Sequence, residues 1–208
     1  MTLAAWLSLL AICALGAMSP GPSLAVVIRN TVKNGRAAGL ATALAHGLGV
    51  GLYALATALG LAAVLAAEAA VFNAFALAGS AYLLWLGANA LRGSDRFAEP
   101  APAGAIASRN LVEAGRDGFA IAFLNPKIAL FFLALFSQFI PREAGAAEVA
   151  ILAGTATVVD ALWYALVATG LSASGIAGWL RRHGVWIERI TGALLVLLAL
   201  STATSALA

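Results

Sequence analysis

Apolar residues fill this chain in six long blocks, at roughly 3–28, 38–66, 71–91, 118–140, 147–171 and 185–207, separated by polar or charged breaks. A bilayer core about 30 Å thick takes a helix of about 20 apolar residues, so each block is long enough to cross it. Lipid offers no partner to an unsatisfied backbone amide or carbonyl, which makes every crossing helical. The expected fold is all-α and integral to the membrane, with six transmembrane helices.

Composition agrees. Of the 208 residues, 62% are hydrophobic and 10% charged, against about 25% charged in a soluble domain. A globule in water must expose part of its surface and could not hide so much apolar area. The net charge of +3 does not point to nucleic acid, because the basic residues sit in short loops and form no patch with aromatics. Cys13 is the only cysteine, which excludes an internal disulfide, a CxxC pair and a thiolate metal cluster. No metal or cofactor is implied. The first block lacks the basic start of a signal peptide and runs on through Ser19-Pro20-Gly21-Pro22 to Ile28. It is expected to be a retained helix.

Charge placement orients the spans. Arg29, Lys33 and Arg36 follow the first block, Arg92, Arg96, Arg109 and Arg116 the third, and Arg181, Arg182 and Arg189 flank the last break. These are ten of the 12 basic residues; Arg142 alone lies on the other side, and Lys127 falls within a span. Positive loops stay in the cytoplasm, so the chain is expected in the bacterial cytoplasmic (inner) membrane with both termini outside. Trp179 and Trp186 bracket the last cytoplasmic loop, and Trp6 sits at the outer edge. The longest loop, about 92–116, is Gly- and Pro-containing and divides a single transmembrane domain into halves of about 1–91 and 117–208.

The halves resemble each other. Pro20 interrupts the first helix of one and Pro126 the first helix of the other. Tyr-Ala-Leu recurs at 53–55 and 164–166, and the stretch 79–86 resembles 192–199. Three spans per half make the second inverted relative to the first. Inverted repeats with helices broken at matching positions are a transporter design, with the binding site between the halves near mid-membrane.

Ser19, Pro20, Gly21 and Pro22 are the sharpest local signal, since two prolines around a glycine must open a helix. Freed backbone groups in lipid are costly unless they line a wet cavity or bind something. An amino-acid ammonium suits exposed carbonyls, and its carboxylate suits a half-helix N-terminus. The plainer alternative is a kink that neighbouring helices re-satisfy. Asn125, Pro126 and Lys127 repeat the device with a charge, which either serves a cavity or snorkels to the interface. Asp160, the one acid deep in a span, could pair with Lys127, bind a substrate ammonium, or exchange a proton. His46 is a second proton-coupling candidate because imidazole titrates near neutrality, and a packing residue otherwise. Gly35, Gly39, Ala43, Gly47 and Gly51 recur every fourth residue and are read as a packing face toward the kinked first helix. His183, beside Arg181 and Arg182, is read as a loop residue.

These residues are similar to the LysE/RhtB family of amino-acid exporters over essentially the whole chain. The similarity rests on Ser19-Pro20-Gly21-Pro22, the glycine-rich second helix, Asn125-Pro126-Lys127 with the run to Phe139, and the tail of each half, Gly79 to Gly87 and Gly192 to Leu195. It implies a secondary transporter, not an enzyme, that exports amino acids or close derivatives by proton antiport. The partners implied are an amino-acid substrate, protons and the lipid bilayer; a homodimer packed through Gly or Ala faces is compatible. The rival class is a membrane-embedded enzyme acting on a lipid, which would need more clustered acids or histidines than Asp160 and His46 supply.

Overall fold

In the computed structural model, residues 1–19, 21–67, 69–92, 110–141, 144–171 and 176–207 are described, and they form eight α-helices with no strand among them. These are α1 (Leu3–Met18), α2 (Pro22–Asn34), α3 (Arg36–Ala67), α4 (Ala69–Leu91), α5 (Leu111–Phe123), α6 (Pro126–Phe139), α7 (Ala146–Leu171) and α8 (Ile176–Leu207). Pro20, most of the long loop (93–109) and Arg142 lie outside the described residues.

The first apolar block is two helices, as its prolines require. α1 starts on the Thr2 side chain, which accepts from the Ala5 amide, and ends at Ser19. α2 starts from Gly21 with Pro22 in its first turn, where a missing amide hydrogen costs nothing. The two axes meet at 61°. Likewise α5 ends at Leu124, and Asn125 restarts the chain by accepting the Lys127 amide at 3.0 Å. Pro126 then heads α6, bent 55° from α5.

Several sequence-based boundaries move. α5 begins seven residues before the expected span, inside the stretch read as linker, because Asn110 caps it by accepting the Glu113 amide at 2.9 Å. Arg181, Arg182 and His183 belong to α8 rather than a loop. A polar run ends the part of a helix that lipid can cover, but it does not break the backbone ladder. Gly35 is not on the α3 packing face: it ends α2 with φ 85°, a left-handed turn that favours glycine.

By length and composition α3 and α7 can each cross a membrane alone, and each bent pair can cross as one unit. Leu44, Leu48, Leu52, Leu55 and Leu59 form an exposed stripe on α3. Such a stripe suits lipid and not water.

The glycine face of α3 is turned mainly toward α7 and only at Gly39 toward the kinked first helix. A Cβ on Gly47 would sit 2.7 Å from Ala161 Cβ, one on Gly51 would strike the Thr157 hydroxyl, and one on Gly39 would strike Thr31 of α2 as well as Ala168. Positions rising along α3 meet positions falling along α7, so the pair is antiparallel. α4 and α8 cross just as closely, each of Gly87 and Gly192 facing the other's carbonyl oxygen with 2.7 Å for an added Cβ. Missing side chains let backbones approach where no hydrophobic force drives helix against helix. These glycines are thus used for packing within one chain.

Candidate functional site

Both helix breaks border one cavity of about 110 Å³. Ser19, Gly21 and Pro22 reach it from the first break, and Asn125 and Lys127 from the second. Both α2 and α6 therefore start at this space, with the partial positive charge of a helix N-terminus. Phe131, Phe132, Leu86 and Leu195 supply apolar walls, and His46, Asp160 and Tyr164 add polar groups. The volume holds several waters or a small solute. Of the residues singled out in the sequence, this space gathers Ser19, Gly21, Pro22, His46, Asn125, Lys127 and Asp160. Pro126 heads α6 between Asn125 and Lys127.

The α3–α7 crossing brings His46 and Asp160 together. Gly47 and Ala161, in contact, are their immediate chain neighbours, so close approach there sets the next pair face to face. His46 Nδ1 lies 2.6 Å from Asp160 Oδ2, a short bond of the charge-assisted kind. The residues are 1% and 8% exposed. The edge of the Tyr164 ring packs on the imidazole at a centroid distance of 4.8 Å. Sequence reasoning weighed Lys127 as a partner for Asp160; the carboxylate bonds to His46 instead.

A second polar cluster was missed. Arg29 NH2 donates to Asp117 Oδ2 at 2.6 Å, joining α2 to α5 across 88 positions. Beside it Asn30 Nδ2 donates to the Thr42 hydroxyl at 2.9 Å, and that hydroxyl reaches the Ala114 carbonyl at 3.0 Å. The sequence pattern places Arg29 among the basic loop residues and marks no role for Asp117. The available signal was spacing, since each sits about two turns from its own helix break, on the same side.

Breaking this pair has a readable outcome. Asp117→Asn should lower thermal stability in detergent by about 1–2 kcal/mol, below the ~3–5 kcal/mol of a fully buried pair because solvent reaches the carboxylate. Its side chain is 35% exposed, against 9% for Arg29. Arg29→Met combined with Asp117→Leu should regain most of that loss, and a double variant no better than Asp117→Asn would show that the pair is not the stabilising feature.

Among the described residues, no three His, Cys, Asp or Glu side chains are grouped to hold a metal ion. Apolar helices broken around a shared, partly polar cavity define a multi-pass membrane protein built to handle a small solute. The chain belongs to the LysE type translocator family, whose model matches residues 14–206. It is similar to an uncharacterized membrane protein of Pseudomonas aeruginosa, at 31% identity over 79% of this chain and 77% of the relative. It is also similar to a threonine efflux protein of Salmonella typhi, at 26% identity over 85% and 86%. A homoserine/homoserine lactone efflux protein of Salmonella typhimurium is 27% identical over 87% and 86%. No solved structure matches the chain.

Proposed function

We propose that this protein exports an amino acid or a close derivative from the cytoplasm, as a secondary transporter driven by proton antiport. The observation that carries the reading is the single cavity onto which both helix breaks and the buried His46–Asp160 pair open, in a chain of the LysE type translocator family. Relatives named for efflux of threonine and of homoserine give the substrate class.

The architecture we propose is six spans in two inverted repeats: α1–α2, α3 and α4, then α5–α6, α7 and α8. The packing supports it. α3 pairs with α7 and α4 with α8, while α1 against α7 answers α5 against α3, and α2 against α7 answers α6 against α3. A twofold exchange of halves produces these pairings, whereas the contacts of α2 with α3 and of α4 with α6 have no comparable counterpart among the described residues. With the basic ends of α2, α4 and α5 in the cytoplasm, both termini lie outside the inner membrane.

In this reading Pro20 and Pro126 open the helices, and Ser19, Gly21, Pro22, Asn125 and Lys127 present backbone groups and one cation to the substrate. Asp160 and His46 carry the coupling proton as the halves rock. Metabolite profiling of the medium, with and without overexpression in cells fed dipeptides, tests it. One or a few amino acids should accumulate several-fold faster outside the cell. An unchanged amino-acid profile together with altered membrane lipids would overturn the reading in favour of a lipid-modifying enzyme.

A further inference from the structure

One buried nitrogen of a residue that lines the cavity has no protein partner. His46 is 1% exposed and its Nδ1 is held by Asp160, yet its Nε2 meets no hydrogen-bonding group among the described residues. A carboxylate only accepts, so in the neutral imidazole the ring hydrogen sits on Nδ1. Nε2 then carries a bare lone pair beside the cavity. A buried acceptor left this way is costly unless something entering the cavity donates to it.

The start of α2 borders the same space. No side chain caps it, whereas α6 is capped by Asn125. An uncapped helix N-terminus favours a carboxylate. The cavity therefore presents an anion-seeking end and a lone-pair acceptor, which are the complements of the two charged groups of an α-amino acid.

We infer that the substrate amino acid lies with its carboxylate at the start of α2 and its ammonium donating to His46 Nε2, and that a proton competes for that same nitrogen. The inference rests on the amino-acid export reading above and deepens it. Protonated imidazole has N–H on both nitrogens, so it offers an ammonium no acceptor and adds a like charge. Asp160 fixes which nitrogen is bare and balances the charge once the ring is protonated. The other titratable groups around the cavity are Tyr164 on α7, Cys13 on α1 and Lys127 on α6. One turn along α3, Thr42 leads through Asn30 to the Arg29–Asp117 pair.

Proton and substrate then exclude each other. A proton from outside takes the Nε2 lone pair, and the ammonium departs with all its hydrogens. That proton leaves to the cytoplasm before the next substrate binds. One proton enters per amino acid exported, without a separate proton site.

Calorimetric binding of L-threonine, L-homoserine and L-leucine to the purified full chain between pH 5 and 8 tests this. For wild type, Kd should rise about tenfold per pH unit on the acidic limb, with proton release on binding in weak buffer. His46→Gln should bind with a flat pH profile and release no proton. Asp160→Asn supplies a second test, because an asparagine amide can donate to Nδ1 and move the ring hydrogen to Nε2. Affinity should then fall at least about tenfold at every pH, with Asp160→Glu retaining it. Nitrogen NMR of the two histidines, with His183→Gln for assignment, should show the ring hydrogen moved in Asp160→Asn. A folded His46→Gln protein that keeps the slope and the proton release overturns the inference alone. A wild type that binds none of the three and leaves the amino-acid profile of the medium unchanged on overexpression overturns the export reading and the inference with it.

Discussion

Asp160→Asn is expected to remove proton-driven export while leaving a protein that still inserts and folds. Efflux from proteoliposomes of the labelled amino acid that metabolite profiling identifies should drop under a pH gradient by at least about tenfold, to the rate seen without a gradient. The reason is local. Asp160 is 8% exposed and held by His46 Nδ1 at 2.6 Å, so its carboxylate has little else to do than set the charge and tautomer of that ring. Asparagine keeps the shape and one hydrogen bond, and neutralising one partner beside an imidazole that can itself be neutral strands no charge. Folding should therefore survive, seen as an unchanged elution profile in detergent. Asp160→Ala differs, because it leaves a void and an unpartnered ring as well. Efflux by Asp160→Asn that still follows the pH gradient would take Asp160 out of the coupling.

The largest effect on stability is expected at Gly118. A Cβ there would collide with the backbone carbonyl of Thr42, an atom that no rotamer change can move. The neighbouring Thr42 hydroxyl ties Asn30 and the Ala114 carbonyl across three helices, so parting α5 from α3 also breaks those bonds. Gly118→Ala should cost about 1–3 kcal/mol of overpacking, and Gly118→Leu should largely prevent assembly. Gly154 on α7 is the control. Nothing lies within 4 Å of a Cβ built there, so Gly154→Ala should be neutral or stabilising by up to about 1 kcal/mol from helix propensity. Thermal shift in detergent compares the two. Equal melting temperatures for both alanine variants would mean that the α3–α5 approach is looser than its geometry indicates.

The helix breaks show what kind of information each level carries. Ser19-Pro20-Gly21-Pro22 and Asn125-Pro126-Lys127 could be read directly, because proline's missing donor and its clash with the preceding turn act within a few residues. The glycine spacing on α3 was equally visible as a packing face. Its partner was not, since a side-chain-free face announces that some backbone comes close and leaves open which one. Arg29 and Asp117 were visible as charges, yet nothing local pairs two groups 88 positions apart.

Apolar block length, proline interruptions and the placement of basic residues are local properties, and from them the chain alone determined a helical membrane protein with two broken helices. Asp160 and His46 are 114 positions apart. Their contact depends on the depth and rotation at which α3 and α7 cross, which the fit of Gly47 to Ala161 and Gly51 to Thr157 decides and no local pattern encodes. That crossing was decided only in three dimensions. There, two weak candidates became one buried pair with one ring nitrogen left without a protein partner.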